Sequence, residues 1–199
     1  AIPQFGWRAV FVALAVAGVA AAAVIFSTPD KPGAAHSESL RSQIAGLCTV
    51  LASRAFWRYA PQSTMIIGSF MALQGLWALP WLMNFSGLAR SEAAGHLLLM
   101  GGGMLIGFLS IAFGVAPLAR RGVSAHTLLV VGIGLGLLSS LLIVLGLGPS
   151  APLWFALGLV FSVGNLAYAL LQRHYDVELA GRVNTALNLM VFIGAFGIQ

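Results

Sequence analysis

Six long apolar segments run through this chain of 199 residues, and the loops between them alternate between basic and nearly uncharged. Eight of the ten Lys and Arg fall in three loops: Lys31, Arg41, Arg54 and Arg58 within 28–61, Arg120 and Arg121 within 119–126, Arg173 and Arg182 within 172–183. Only Arg8 and Arg90 lie elsewhere. A chain that crosses a bilayer at every apolar segment puts those three loops on one face, and Lys and Arg accumulate on the cytoplasmic face. The pattern therefore predicts an all-α membrane protein, a polytopic transmembrane helix bundle, and also orients it. Barrel strands are half as long and alternate apolar with polar residues, which none of these segments does.

Composition agrees with that class. The chain is 59% hydrophobic and 8% charged, whereas a soluble domain is near 25% charged. The net charge of +5 includes no basic run longer than Arg120-Arg121. It reads as a topological signal, and no nucleic-acid partner is expected. A single cysteine, Cys48, excludes an internal disulfide. It sits on a small-residue amphipathic stretch and is expected to be inert.

The spans are expected at about 8–27, 62–84, 94–118, 127–147 and 152–171, with a sixth starting near Asn184. A span needs about 20 residues. The last apolar run stops at Gln199 and the chain opens Ala-Ile-Pro, so a piece of a larger membrane protein is expected. Reading 8–27 as a signal peptide fails on length. Cleavage there would also place the basic loop 28–61 outside and invert every later loop. The expected organisation is one span over 1–27, a linker over 28–61 and a bundle over 62–199.

The linker opens with the breakers Thr28-Pro29-Asp30-Lys31-Pro32-Gly33. Leu40, Ile44, Leu47 and Leu51 then recur at helical spacing. They predict an amphipathic helix, either in the headgroup layer with its Arg reaching anionic lipid or as a soluble linker helix. Gly103 and Gly107 are four apart, as are Gly132 and Gly136, a spacing that lets helix backbones approach closely. Gly148-Pro149-Ser150 predicts a tight turn. Pro80 is expected to kink or end the second span, and Gly101-Gly102-Gly103 to let the third bend.

No Asp, Glu, Lys or Arg falls in the core of a span. Such a group costs about 2.5–3.5 kcal/mol at mid-membrane and usually marks function, so no intramembrane relay or ion site is expected here. No metal spacing, nucleophile elbow or phosphate loop is visible, and no cofactor is expected. His96, at the outer end of the third span, reads as structural. His174-Tyr175-Asp176-Val177-Glu178 is the one polar cluster at a membrane face that would suit catalysis, and its plain reading is a solvated turn.

The second span is the most informative. Phe70, Gln74, Trp77, Trp81 and Asn84 fall at steps of four, three, four and three, and so are expected to share one helix face. Lipid cannot satisfy the Gln74 amide, so it should meet a protein partner or a wet cavity. Trp77 offers an apolar plate with one N–H donor. Trp81 and Asn84 lie near the outer interface, where Trp belts are common. In the fifth span Ser162, Asn165 and Tyr168, with Gln172, form a weaker polar patch. Its Asn165 amide is read as a helix–helix hydrogen bond or as part of the same cavity. Trp154 is read as an interface anchor.

Phe5-Gly6-Trp7-Arg8-Ala9-Val10-Phe11 resembles the Gly-Trp-Arg-x-x-Phe that opens the sixth helix of the major facilitator superfamily. The loop 114–122, from Gly114-Val115-Ala116-Pro117 to Arg120-Arg121-Gly122, resembles a worn copy of that family's Gly-rich basic loop, with Ala116-Pro117 where Asp-Arg is usual. Ala180-Gly181-Arg182-Val183-Asn184 resembles its turn into the eleventh helix. The resemblance implies the C-terminal half of a major-facilitator-like fold plus the last helix of the N-terminal half, about helices six to eleven of twelve. It implies a secondary active transporter that moves a small solute across the inner membrane by alternating access, and not an enzyme. Gln74, Trp77, Trp81, Asn165 and Tyr168 would then line the substrate cavity. Arg120 and Arg121 would be a cytoplasmic gate or a topology anchor. The expected partners are a small-molecule substrate, the lipid bilayer and a coupling ion, proton or sodium, held mainly by the other half. A transporter-like sensor, a membrane enzyme and a channel are the rival readings.

Overall fold

The computed structural model describes residues 2–28, 39–148 and 150–199, and leaves out the side chains of residues 2–5 and 7. The breakers Pro29 to Gly33 with Lys31, the turn residue Pro149, and the Phe5 and Trp7 side chains therefore lie outside the described residues. The described residues form helices and no strand, and six helices are long and apolar enough to cross a membrane. The chain divides into two compact units, residues 1–40 and 41–199.

In the first unit, helix α1 runs Ile2–Phe26 and is broken at Gly6, whose φ of 72° and ψ of 166° are not helical. Glycine adopts that conformation without a Cβ penalty. The glycine of the Gly-Trp-Arg stretch is thus the break before an apolar run, Arg8–Phe26. The Ser27 and Thr28 hydroxyls close its end by donating to the carbonyls of Ala23 (2.7 Å) and Val24 (3.0 Å).

Helix α2 (Leu40–Ala52) begins at the boundary and from Arg41 on belongs to the second unit. The spans there are α3 (Arg54–Asn84), α4 (Arg90–Arg120), α5 (Ala125–Val144), α6 (Ser150–Gln172) and α7 (Val177–Ile198). Helix α6 is central: half of its most apolar stretch is buried, against 17–33% for the other spans of this unit. Glycines set that packing, because lipid tails give apolar helices no hydrophobic reason to associate and close backbone contact must supply the energy. Gly158 of α6 sits on the Met100 carbonyl of α4, and Gly103 of α4 sits on the Phe155 carbonyl of α6. Gly107 meets Ser162, and Gly132 of α5 meets Val163. Both predicted glycine pairs therefore face α6; Gly103, Gly107 and Gly132 make close approaches, and Gly136 makes an ordinary contact with Val160. Gly68 of α3 and Gly194 of α7 form a further crossing, with Gly68 against the Val191 carbonyl and Gly194 against Thr64.

The core has two clusters along the bundle axis. One, at the end carrying the basic loops, joins Val50 of α2, Phe56 and Ala60 of α3, Leu129 of α5, Leu171 of α6 and Leu187 of α7. The other, at the far end, joins Phe70 and Leu82 of α3, Met100 of α4 and Trp154 of α6. Trp154 is 2% exposed, so it is a core residue and not an interface anchor. Its position at a helix start hid that it lies under α3 and α4.

Several boundaries differ from expectation. Helix α3 begins at Arg54 and not near 62, because the Ser53 hydroxyl caps it by accepting from the Ala55 N–H at 3.2 Å. Helix α4 runs on through Pro117 to Arg120, so most of the expected loop 114–122 is helical. It stops at Gly122, φ 85°, where the Val123 N–H reaches the Leu118 carbonyl and the Gly122 N–H the Ala119 carbonyl, both at 3.0 Å. Helix α7 starts at Val177 and not near Asn184. Helix α4 is continuous through Gly101-Gly102-Gly103, and of the three only Gly103 makes a close approach to another helix. Helix α2 is also not wholly in a headgroup layer: Leu47, Val50 and Leu51 pack on the basic-end core and Gly46 lies beneath the Arg182 side chain.

Candidate functional site

Helix α3 is not a regular α-helix. It takes π turns over Thr64–Gly68 and Leu73–Trp77. The second ends three residues before Pro80, which lacks an N–H and crowds the carbonyl four residues back. The chain widens there and continues helical to Asn84, so Pro80 does not end the span. A π turn adds about one residue, which shifts the later side chains by about 100°. The five residues Phe70, Gln74, Trp77, Trp81 and Asn84 consequently do not share one face. Phe70 is buried against Phe161, with ring centroids 4.9 Å apart, while Gln74 and Trp77 are exposed. Trp81 is half-buried at the far end, stacked on Phe85 at 4.6 Å.

Gln74 lies inside the second π turn, and its side chain makes no hydrogen bond to another described residue. Its amide nitrogen stands 3.9 Å from where a Cβ on Gly101 would be, so α4 passes beside it with no side chain to cover it. Asn165 ends a 3₁₀ turn, Ser162–Asn165, in the middle of α6. It is exposed, and its Nδ2 donates to the Ser162 carbonyl at 3.3 Å. The two amides thus occupy irregular turns on neighbouring helices, packed together where Gly164 meets Ile66 and Ile67. By rise per residue Gln74 is roughly 15 Å from the far end of α3 and Asn165 roughly 10 Å from the basic end of α6. Both fall within the membrane-spanning part.

Tyr168 is half-buried and donates its hydroxyl to Asn188 Oδ1 at 2.6 Å; one turn further on, Gln172 Nε2 donates to Asn184 Oδ1 at 2.6 Å. Residues 168 and 172 of α6 meet 188 and 184 of α7 in an antiparallel ladder. Asn188 was not among the residues the sequence pointed to. The matching four-residue spacing on two adjacent antiparallel helices was the signal available. The double replacement of Tyr168 by Phe and Asn188 by Ala should show a coupling of about 0.6 kcal/mol, and at most about 1.7. A double-mutant cycle of unfolding in detergent measures it.

Cavities open between the described helices. One, about 490 Å³, lies among α3, α5 and α6 and is lined mainly by apolar groups, with Gln62, Ser69 and Ser140 as its polar members. Another, about 480 Å³, lies at the far end between Trp81, Phe85 and Trp154 and the end of α5. The third, about 230 Å³, lies among α4, α5 and α6. Of the five predicted cavity residues only Trp81 lines one of these three; Gln74, Trp77 and Asn165 are exposed, and Tyr168 is half-buried between α6 and α7. Arg120 and Arg121 are exposed at the end of α4, where positive charge complements the helix dipole. His174 is held by its Nδ1 to the Leu170 carbonyl at 3.0 Å, with Tyr59 beside its ring. Among the described residues no group of His, Cys, Asp and Glu could hold a metal ion.

Six apolar helices, five of them in a unit joined by glycine-mediated crossings with arginines gathered at one end, define a multi-pass helical membrane protein. The sequence matches the family model of the Major Facilitator Superfamily over residues 1–198, and the chain belongs to that family of membrane transporters. Comparison with curated proteins and with solved structures found no match.

Proposed function

We propose that this chain is the C-terminal part of a secondary active transporter of the inner membrane, with its basic end in the cytoplasm, and that Gln74 and Asn165 belong to the substrate path. One observation carries the reading: two carboxamides stand exposed on irregular helical turns within the span. An amide facing hydrocarbon costs several kcal/mol, so a protein partner or water is the favoured neighbour of that surface. Mid-span π and 3₁₀ turns recur at functional sites and hinges. Trp77, 53% exposed, and Tyr168 add apolar plates and a hydroxyl to the same side of the reading.

Alternating access would rock this bundle against another around the amides. A wall of amides and aromatic rings suits an amphipathic or uncharged solute. The coupling ion, proton or sodium, is expected to bind mainly outside these spans, whose cores carry no Asp, Glu, Lys or Arg. Solute uptake by proteoliposomes, compared between the native protein and Gln74→Ala, Trp77→Ala and Asn165→Ala variants, tests the assignment. Unchanged kinetics in all three would remove these residues from the path.

A further inference from the structure

The corner between α2 and α3 is not part of the proposed substrate path. Arg54, Trp57 and Arg58 stand at i, i+3 and i+4 of α3 and so share one face, and all three are exposed. Trp57 is held in place. Its indole N–H donates to the Leu51 carbonyl at 2.8 Å, and its ring meets the buried Phe56 edge-on at 5.5 Å and 89°. The ring is nevertheless 51% exposed. Helix α2 adds an exposed Arg41 and, one turn on, Ile44 at 62% exposure. Two successive helices, joined at Ser53 and tied by the Trp57–Leu51 bond, thus each carry exposed apolar and cationic groups.

The charge around that corner is one-sided. Seven of the arginines of the second unit, Arg41, Arg54, Arg58, Arg120, Arg121, Arg173 and Arg182, lie at this end, against Asp176 and Glu178. The far end has Arg90 against Glu92. We infer that the α2–α3 corner binds the headgroup of an anionic phospholipid. Its phosphate lies between Arg54 and Arg58, and Trp57 and Ile44 seat at the acyl boundary. A guanidinium fork matches phosphate oxygens two at a time. A fixed, half-open indole is the side chain favoured at the membrane interface. A free phosphate would use the arginines but would leave Trp57 and Ile44 without a role. The inference rests on the membrane-spanning bundle and is independent of what the protein carries.

Bromine on an acyl chain quenches tryptophan at contact. Native protein and the Trp57→Phe variant, in phosphatidylcholine nanodiscs doped with brominated phosphatidylglycerol or brominated phosphatidylcholine, give the Trp57 signal by difference. Stronger quenching by the glycerol lipid is expected, lost at high salt. Arg54→Gln and Arg58→Gln should each reduce that preference roughly fivefold, the factor for one arginine at an anionic surface. Soluble glycerol phosphate should not relieve it. Equal quenching by the two bromolipids, or a preference unchanged in both arginine variants, would overturn the assignment. Relief by glycerol phosphate would overturn the lipid as the source and leave a phosphate site.

Discussion

Gly158→Ala is expected to cause the largest loss of folded protein of any alanine substitution in this chain. An added Cβ would collide with the Met100 carbonyl oxygen, and the Met100 carbonyl carbon and Cα lie at 2.8 and 3.1 Å. Those atoms belong to the backbone of α4 and cannot swing aside like the end of a side chain. The two helices must separate, which also loosens Gly103 from Phe155 and Gly107 from Ser162 along the most extensive helix pair in the unit. Overpacking costs about 1–3 kcal/mol and occasionally more, and a backbone collision belongs at the top of that range. Gly102→Ala and Gly134→Ala are the controls. Nothing lies within 4 Å of either added Cβ, and alanine favours the helix by up to about 1 kcal/mol. Thermal melting in detergent, followed by size exclusion, distinguishes them. A Gly158→Ala protein that melts like the native one would contradict the α4–α6 crossing.

The second large effect is expected at Gln74 and Asn165, and it should appear in transport and not in stability. Both side chains are exposed, so truncation leaves no cavity in the core. If each amide bonds the solute in the path, its loss should raise the half-saturating concentration roughly tenfold, the worth of one such hydrogen bond. The measurement is uptake from a panel of uncharged and amphipathic solutes, with melting temperature recorded alongside. Were the amides only helix–helix links, the pattern would reverse: lower melting temperatures and unchanged uptake. Among the described residues neither amide bonds another helix: the one Asn165 bond is to the carbonyl of its own turn.

Hydropathy and arginine placement made the spans legible, since both follow from the bilayer. The ends were less so. Ser53 is a good cap, but Arg54 and Arg58 made the start of α3 look like loop, although a helix can leave the membrane and continue. Pro117 and Gly114 looked like a turn, yet α4 absorbs both and stops only at Gly122, where a left-handed residue is needed. The face of α3 differs from expectation because a rule of 3.6 residues per turn has no way to anticipate a π turn. Phe70 therefore went to the core and Gln74 did not. The glycine pairs announced close approach without naming the partner, and their convergence on α6 is a property of the assembled bundle. Gln74 and Asn165 were legible as amides out of place in lipid. Asn188 was not, because its meaning depends on Tyr168 across the helix gap.

That Gln74 and Asn165 face water inside the membrane can be tested without knowing the solute. Cys48, which is exposed, is first replaced by Ser. Gln74→Cys, Asn165→Cys and Leu105→Cys are then made separately, Leu105 being an exposed apolar residue of α4. Membranes holding each variant are treated with a membrane-impermeant, water-soluble maleimide from both sides. Cysteines at 74 and 165 should label and the one at 105 should not. Labelling at neither 74 nor 165, in protein shown to be inserted and reactive once denatured, would contradict the proposed path.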